Sequence, residues 1–482
     1  MSGITVALAG FALMLVLIAL RAPIGLAMLL VGSGGYILLH PSGSLAFFGY
    51  MKTNPYHQFA NYTLSVIPLF ILMGALAERA GIATALFKSA EGALGRFRGG
   101  LAMAVIGACT AFGAICGSSV ATTATFGRAA LPELEKYKYD GGFATGTIAV
   151  GGTLGILIPP SVILVVYAIT TEQNIAKLFQ AALIPGLLAA VFYCLTIALV
   201  VRHNPALAPM TAKATVERAP RSIVQIVFGL AIIGGIAAQW LRGRLEWDNA
   251  LILGVMALPM MLVDRAVMPA ISIAIVVVGG IYGGVFTPTE GAAVGAIAML
   301  LVGFAQRTLG WRDILQAIRQ TAETSGMIFM ILLGAEVFGA FLALSKLPTV
   351  AAELIGSSGF SPYVVLVAML AFYILLGAVM DELAMILLTL PVFFPVIQAL
   401  DFGMQPDEVA IWFGILVLIV VGIGLTAPPI GLNVFVISAM ARHIPMTATY
   451  KGVLPFIAAD IIRLALCVAF PALSLWLVRA LN

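Results

Sequence analysis

The chain has 482 residues, of which 62% are hydrophobic and 10% charged, with a net charge of +4; a soluble domain carries about a quarter charged residues. A mean hydropathy of +1.10 excludes a chain solvated mainly by water. Basic residues confined to loops between apolar segments exclude a nucleic-acid partner.

Apolar windows of about 17–25 residues, each long enough to cross about 30 Å of hydrocarbon, recur from Ile4–Leu20 to Leu454–Val478. Backbone amides in lipid need partners within the chain, and unbroken apolar runs lack the alternation of a barrel. The fold class is therefore an all-α polytopic membrane protein. The first span, at about 4–20, has no basic leader or cleavage pattern and reads as permanent. Spans at about 24–39 and 62–77 follow. Arg79, Lys88, Arg96 and Arg98, then Arg128, Lys136 and Lys138, then Arg202, Lys213, Arg218 and Arg221 mark cytoplasmic loops and put the N-terminus outside.

Flanked by two such loops, the segment at about 101–131 must begin and end on one side. It is predicted to be a re-entrant hairpin with its tip at Cys116-Gly117-Ser118-Ser119, where irregular backbone needs protein or a water-filled cavity beside it. The span at about 143–169 is predicted to break at Gly151-Gly152-Thr153 and again at Ile158-Pro159-Pro160-Ser161, because consecutive prolines remove amide donors and free carbonyls.

The same order returns later. Gly377-Ala378-Val379-Met380-Asp381-Glu382 echoes Gly113-Ala114-Ile115-Cys116-Gly117-Ser118, and Leu425-Thr426-Ala427-Pro428-Pro429 echoes Leu157-Ile158-Pro159-Pro160. This divides the chain into a first repeat over 1–201 and a second over 267–482, with a hairpin at about 363–397 and a broken helix at about 409–440. Residues 202–266 read as a cytoplasmic connection plus two extra spans, at about 222–240 and 249–264, whose link holds Arg242, Arg244, Glu246 and Asp248.

Counting crossings inverts one repeat against the other, with about twelve full crossings in all. Inverted repeats with paired broken helices are the architecture of secondary transporters, with the site near the midplane. Residues 80–98 and 307–320 are amphipathic and are predicted to lie along the interface as arms between a mobile and a fixed unit. Cys109, Cys116, Cys194 and Cys467 match no metal or redox spacing, and His40, His57, His203 and His443 are scattered near segment ends. No catalytic residue, cofactor or transition-metal site is expected.

The stretches PLFILMGALAERAG, GSSVATTATFG, GGTLGILIPPSVILVVYAI, GGVFTPTEGAAVGA and LTAPPIGLNVFVIS, in this order, resemble the large membrane subunit of the TRAP (tripartite ATP-independent periplasmic) transporters. The resemblance implies an elevator-type, sodium-coupled importer of small organic acids in the bacterial inner membrane. It also implies a small membrane subunit, here a separate chain, and a periplasmic substrate-binding protein. The alternative is another ion-coupled carboxylate transporter, or a channel, working without a binding protein. The two extra spans depart from the family pattern.

Sodium needs hard oxygen ligands, which helix breaks supply. With the resemblance, this points to Gly117, Ser118 and Ser119 facing Gly152, Thr153 and Pro159 in the first half, and to Asp381, Gly424, Thr426, Pro428 and Asn433 in the second. The competing roles are hydroxyls bonded to their own turn and, for Asp381 and Glu382, a hairpin shallow enough to touch solvent. Ser119, Thr122, Ser161 and Asp381 are the expected substrate contacts, with the helix ends near Ser119 and Leu383 favouring a carboxylate. No deep arginine is evident. Glu290 reads as the acidic first turn of a helix, and Glu336 as a possible contact for a partner subunit.

Overall fold

The computed structural model describes residues 2–209, 267–357 and 359–481, and every regular element among them is a helix. The two extra spans read at about 222–240 and 249–264, with most of their connection, lie outside the described residues. In chain order the helices are α1 (Gly3–Ala19), α2 (Ile24–Leu39), α3 (Gly43–Phe59), α4 (Val66–Arg79), α5 (Ile82–Leu94), α6 (Gly100–Cys116), α7 (Ser119–Lys136), α8 (Gly141–Leu157), α9 (Val162–Thr170) and α10 (Ile175–His203). After the gap come α11 (Met268–Tyr282), α12 (Pro288–Ala305), α13 (Trp311–Ser345), α14 (Leu347–Ser357), α15 (Pro362–Gly377), α16 (Glu382–Gln398), α17 (Pro406–Gly424), α18 (Leu432–Met440), α19 (Met446–Ala469) and α20 (Ala472–Leu481).

Six described helices are long and apolar enough to cross a membrane alone, and α8 with α9 makes a seventh path bent by 44°. Shorter apolar helices such as α1, α2 and α11 have 15 to 17 residues. The chain is a multi-pass membrane protein. Its outside is apolar: Leu187, Val191, Leu195 and Leu199, at four-residue spacing, form an exposed ridge along α10, as a lipid-facing helix requires.

The chain passes through one order twice. Span α4, arm α5, hairpin α6–α7, broken helix α8–α9 and span α10 are followed by span α13, arm α14, hairpin α15–α16, broken helix α17–α18 and span α19. Packing repeats crosswise, α2 lying against α13 and α12 against α4. A left-handed residue separates span from arm in both halves, Gly81 at φ +74° and Lys346 at φ +58°.

Two sequence expectations need correction, and one helix was not foreseen. Residues 307–320 form no separate helix, and α14 holds the place in the second half that α5 holds in the first. Gly310 donates its N–H to Asp313 Oδ2 at 2.9 Å, and the amphipathic turns that follow run without a break into the apolar stretch of α13, a helix of 35 residues. Gly151-Gly152-Thr153 does not interrupt α8, which ends at Leu157. Helix α3 was not anticipated, since Lys52, Asn54 and His57 deny it an apolar run, and Phe47 is its one buried residue.

The first segments of the two broken helices form the centre. Residues 142–157 of α8 and 409–424 of α17 are all buried. Helix α8 packs by close backbone approach, as small residues permit in membranes: a Cβ on Gly452 of α19 would lie 2.1 Å from Gly142 O, and Thr145 shares a 2.8 Å hydrogen bond with Thr449. Helix α17 instead fills space with Trp412, Phe413 and branched aliphatics. Trp412 Nε1 donates to Cys467 O at 2.9 Å, and Tyr167 of α9 donates to Ala410 O at 2.7 Å.

Candidate functional site

Each break starts a helix whose amino end needs a cap. Ser118 caps α7 by accepting the Ala121 N–H at 3.4 Å, Ser161 caps α9 by accepting from Leu164 at 3.4 Å, and Asp381 caps α16 by accepting from Leu383 at 3.2 Å. Gly431, at φ +54°, precedes α18. All four amino ends line one interior cavity of about 470 Å³, through Ser118 and Ala121, Val162, Asp381 and Glu382, and Leu432. Its other wall is formed by α4 and α13, and Gly74 lets α4 approach the first tip, where a Cβ would stand 2.9 Å from Cys116 O. Glu78 and Arg128, an ion pair, also line it, on the side of the basic loops.

The tips meet their own breaks and each other. Gly117 is left-handed at φ +63°, and a Cβ there would lie 2.8 Å from Pro160 O. In the second half Ala378 O accepts from Ile430 at 3.2 Å and Gly431 at 3.4 Å, while Gly424 packs on Gly377 so closely that a Cβ would come within 2.7 Å. Both breaks contain a cis Pro–Pro bond, at Pro159–Pro160 and Pro428–Pro429. Across the halves, Ser119 Oγ donates to Glu382 Oε2 at 2.7 Å, both groups buried. Asn433 of α18 donates from Nδ2 to Ala149 O of α8 at 3.1 Å.

The structure does not gather every residue singled out from sequence. Gly152 is a packing residue: a Cβ would collide with Thr123 Oγ1 at 1.8 Å. Thr153 turns away from the tip, donating to Val150 O at 2.7 Å and lying 3.2 Å from the Tyr193 hydroxyl. Thr122 donates to Ser118 O of its own turn at 2.7 Å, and Thr426 to Ile423 O at 3.0 Å. Ser119, Thr122 and Ser161, expected as substrate contacts, are fully buried beside the cavity rather than on its wall. The reason is helical phase: Ser118, Ala121 and Arg128 face the cavity, whereas Ser119 and Thr122 face the opposite side of α7.

Among the buried oxygens left without a partner in the described residues are Asn433 Oδ1 and Thr123 Oγ1. With the Asp381 carboxylate and backbone carbonyls, they are the kind of oxygen donors a hard cation takes. The carbonyls of Pro429 and Ile430 are already engaged by the Tyr450 hydroxyl, at 2.9 and 2.6 Å.

A deep arginine does exist. Arg463 of α19 is fully buried, pairs with Asp460 at 2.8 Å and donates to Pro185 O at 3.3 Å, while Tyr193 donates to both Asp460 oxygens at 2.8 and 2.9 Å. The pair lies outside the cavity. Opposite charges three residues apart in an apolar helix were its sequence signal. Glu290 closes a capping box with Thr287, a structural role. Glu336 accepts from Tyr50 and Asn54, each at 3.4 Å, beside a second cavity of about 540 Å³. That cavity reaches Leu387 of α16 and stops short of the tips.

An all-helical membrane protein that turns four helix amino ends onto one interior cavity is, by class, a transport protein. A family model described as "Tripartite ATP-independent periplasmic transporter, DctM component" matches residues 11–473. The C4-dicarboxylate TRAP transporter large permease protein of Pseudomonas aeruginosa is 32% identical over 418 residues, covering 86% of each chain. The sialic acid TRAP transporter large permease protein of Vibrio cholerae is 28% identical, with the same coverage. A crystal structure of the YdaH transporter from Alcanivorax borkumensis superposes with a TM-score of 0.59 over 91% of this chain and 90% of that one, at 14% identity, a likeness of fold alone. The chain belongs to the DctM family, the large permease subunits of TRAP transporters.

Proposed function

We propose that this permease imports a small organic acid across the bacterial inner membrane together with sodium, receiving it from a periplasmic binding protein and working with a small membrane subunit on a separate chain. The observation that carries this reading is the meeting of four helix amino ends on one cavity. Each amino end carries roughly half a positive charge and unpaired N–H groups, so the cavity suits a carboxylate without a dedicated arginine.

Sodium is carried as cargo, and oxygen donors of the kind it takes are the Asp381 carboxylate in the cavity and the unpartnered Asn433 Oδ1 and Thr123 Oγ1. A cation held there offsets the acid's charge, so sodium is expected to bind first. Gly117, Ser118, Gly424 and Pro428 contribute through backbone at the same breaks.

An elevator movement is supported by the layering. The hairpins and broken helices are tied into one body by Ser119–Glu382, Asn433–Ala149 and Tyr167–Ala410. The cavity lies between this body and α4 and α13, which also touch the hairpins at its edges, and the arms α5 and α14 pack on the two hairpins. With the basic loops placed inside, Glu78 and Arg128 on the cavity wall support an opening toward the cytoplasm and an inward-facing reading.

The test is reconstitution with the small subunit and binding proteins, measuring uptake of labelled carboxylates with and without a sodium gradient. Uptake that needs both the gradient and the binding protein is expected. Uptake driven by ATP, or without a binding protein, would defeat the proposal.

A further inference from the structure

Beside the interior cavity, and sharing Glu78 and Arg128 with it, lies a recess of about 550 Å³ on the side of the basic loops. Four helices meet around it: α4 brings Arg79, α5 its amino end, α7 Thr125 and α13 Asp313. The shared wall puts the recess between the central cavity and the cytoplasm.

The recess holds donors that lack acceptors. Gly81, at φ +74°, precedes the 13 residues of α5 without a side-chain cap, and it lines the recess with Ala83 and Thr84 of the first turn, whose N–H groups have no acceptor in their own helix. Arg79 donates from Nη1 to Gln316 at 2.8 Å and from Nη2 to Gln320 at 3.0 Å, neutral amides that leave its charge in place, and its buried Nε has no partner among the described residues. Thr125 is 6% exposed, and its hydroxyl has no partner among them either. Thr122, Thr145 and Thr147 each donate to the carbonyl four residues back, the ordinary resting place of a hydroxyl in an apolar helix. Thr125 does not. The acids on the wall are engaged: Glu78 pairs with Arg128, and Asp313 accepts the Gly310 N–H at 2.9 Å. A buried donor left unpaired is costly, and a carboxylate supplies the acceptor that all three kinds of donor lack.

We propose that this recess is a second carboxylate site, a station on the release path where the departing acid is held by Arg79 Nε, the Thr125 hydroxyl and the amino end of α5. The inference rests on the acid cargo proposed above. The positive charge here comes from a guanidinium and a helix end, so this site needs no sodium, whereas the central site is filled after the cation.

The test uses the purified permease with its small subunit and follows thermal unfolding against acetate, succinate and inorganic phosphate, with sodium or with choline in its place at constant chloride. In the choline buffer the two acids are expected to raise the melting temperature saturably. Thr125→Val and Arg79→Gln should each weaken that binding about tenfold, as the loss of a hydrogen bond to a charged group does. Thr125→Val keeps the shape and removes an unpaired hydroxyl, so without added acid it should melt no lower than the parent, which controls for folding. Binding of the acids only with sodium, sodium-free binding that both variants leave unchanged, or tighter binding of phosphate than of either acid overturns the second site and leaves the central one standing. If neither acid binds in either buffer, the carboxylate reading falls and the inference falls with it.

Discussion

The first tip presents Gly117, Ser118 and Ser119, small and neutral, whereas the second, at the matching place in its half, presents Asp381 and Glu382. Behind them, α8 is built from glycine, alanine and threonine and packs backbone to backbone, while α17 is built from Trp412, Phe413 and large aliphatics. Yet both halves break at a Pro–Pro pair and deliver helix amino ends to one cavity. The shared backbone geometry turns helix amino ends toward one space. The side chains that differ place two acids at one tip and small neutral residues at the other.

Substitutions test how far the two halves differ, beginning with the spans that flank the centre. Helix α10 supplies neutral partners, Tyr193 and Pro185 O, while α19 supplies the charges Asp460 and Arg463. Removing one charge strands the other in a buried site, so Arg463→Met should cost about 3–5 kcal/mol. The double change Asp460→Leu with Arg463→Met should recover most of that loss in denaturant unfolding. A single variant as stable as the parent would show that the pair holds nothing together.

Packing comes next. Gly452→Ala forces a Cβ against the Gly142 backbone and should cost about 1–3 kcal/mol, read as a fall in melting temperature. Gly414→Ala on α17 meets the Tyr167 ring at 2.6 Å. A side chain can yield where backbone cannot, so its loss should be the smaller of the two. At the ion donors, Asn433→Ala should weaken the apparent sodium affinity of uptake about tenfold, or roughly 1.4 kcal/mol; an unchanged sodium dependence would remove Asn433 from the donor set. Smallest is the exposed pair at the cavity mouth: Glu78→Gln should change stability by less than about 1 kcal/mol, leaving melting nearly unmoved.

Much of the backbone plan could be read from the sequence because interruptions stand out against lipid-soluble runs. Gly117-Ser118-Ser119 and the two Pro–Pro pairs are local chemistry, visible without tertiary information. What a residue faces is not local. Thr122 and Ser161 have suitable groups but are fully buried away from the cavity, and Thr153 points to Tyr193. Glu382 was visible as an embedded acid, but its link to Ser119 joins residues 263 positions apart. Arg463 was missed although Asp460, three residues before it, was its signal, because burial against α10 is not written in the helix itself. The amphipathic stretch at 307–320 misled because a helix that continues past the interface carries the same local pattern as one that stops there.

Alternating exposure of the tips is the claim on which the account turns. Its most direct measurement places Ala121→Cys, on the cavity wall, in a chain whose Cys109, Cys116, Cys194 and Cys467 are replaced by alanine, and follows labelling by a membrane-impermeant thiol reagent from each face of a proteoliposome. Labelling from the cytoplasmic face is expected in the state described, and from the opposite face instead when external sodium and loaded binding protein are supplied. Labelling from one face under all conditions, or from both faces at once as in an open channel, would contradict it.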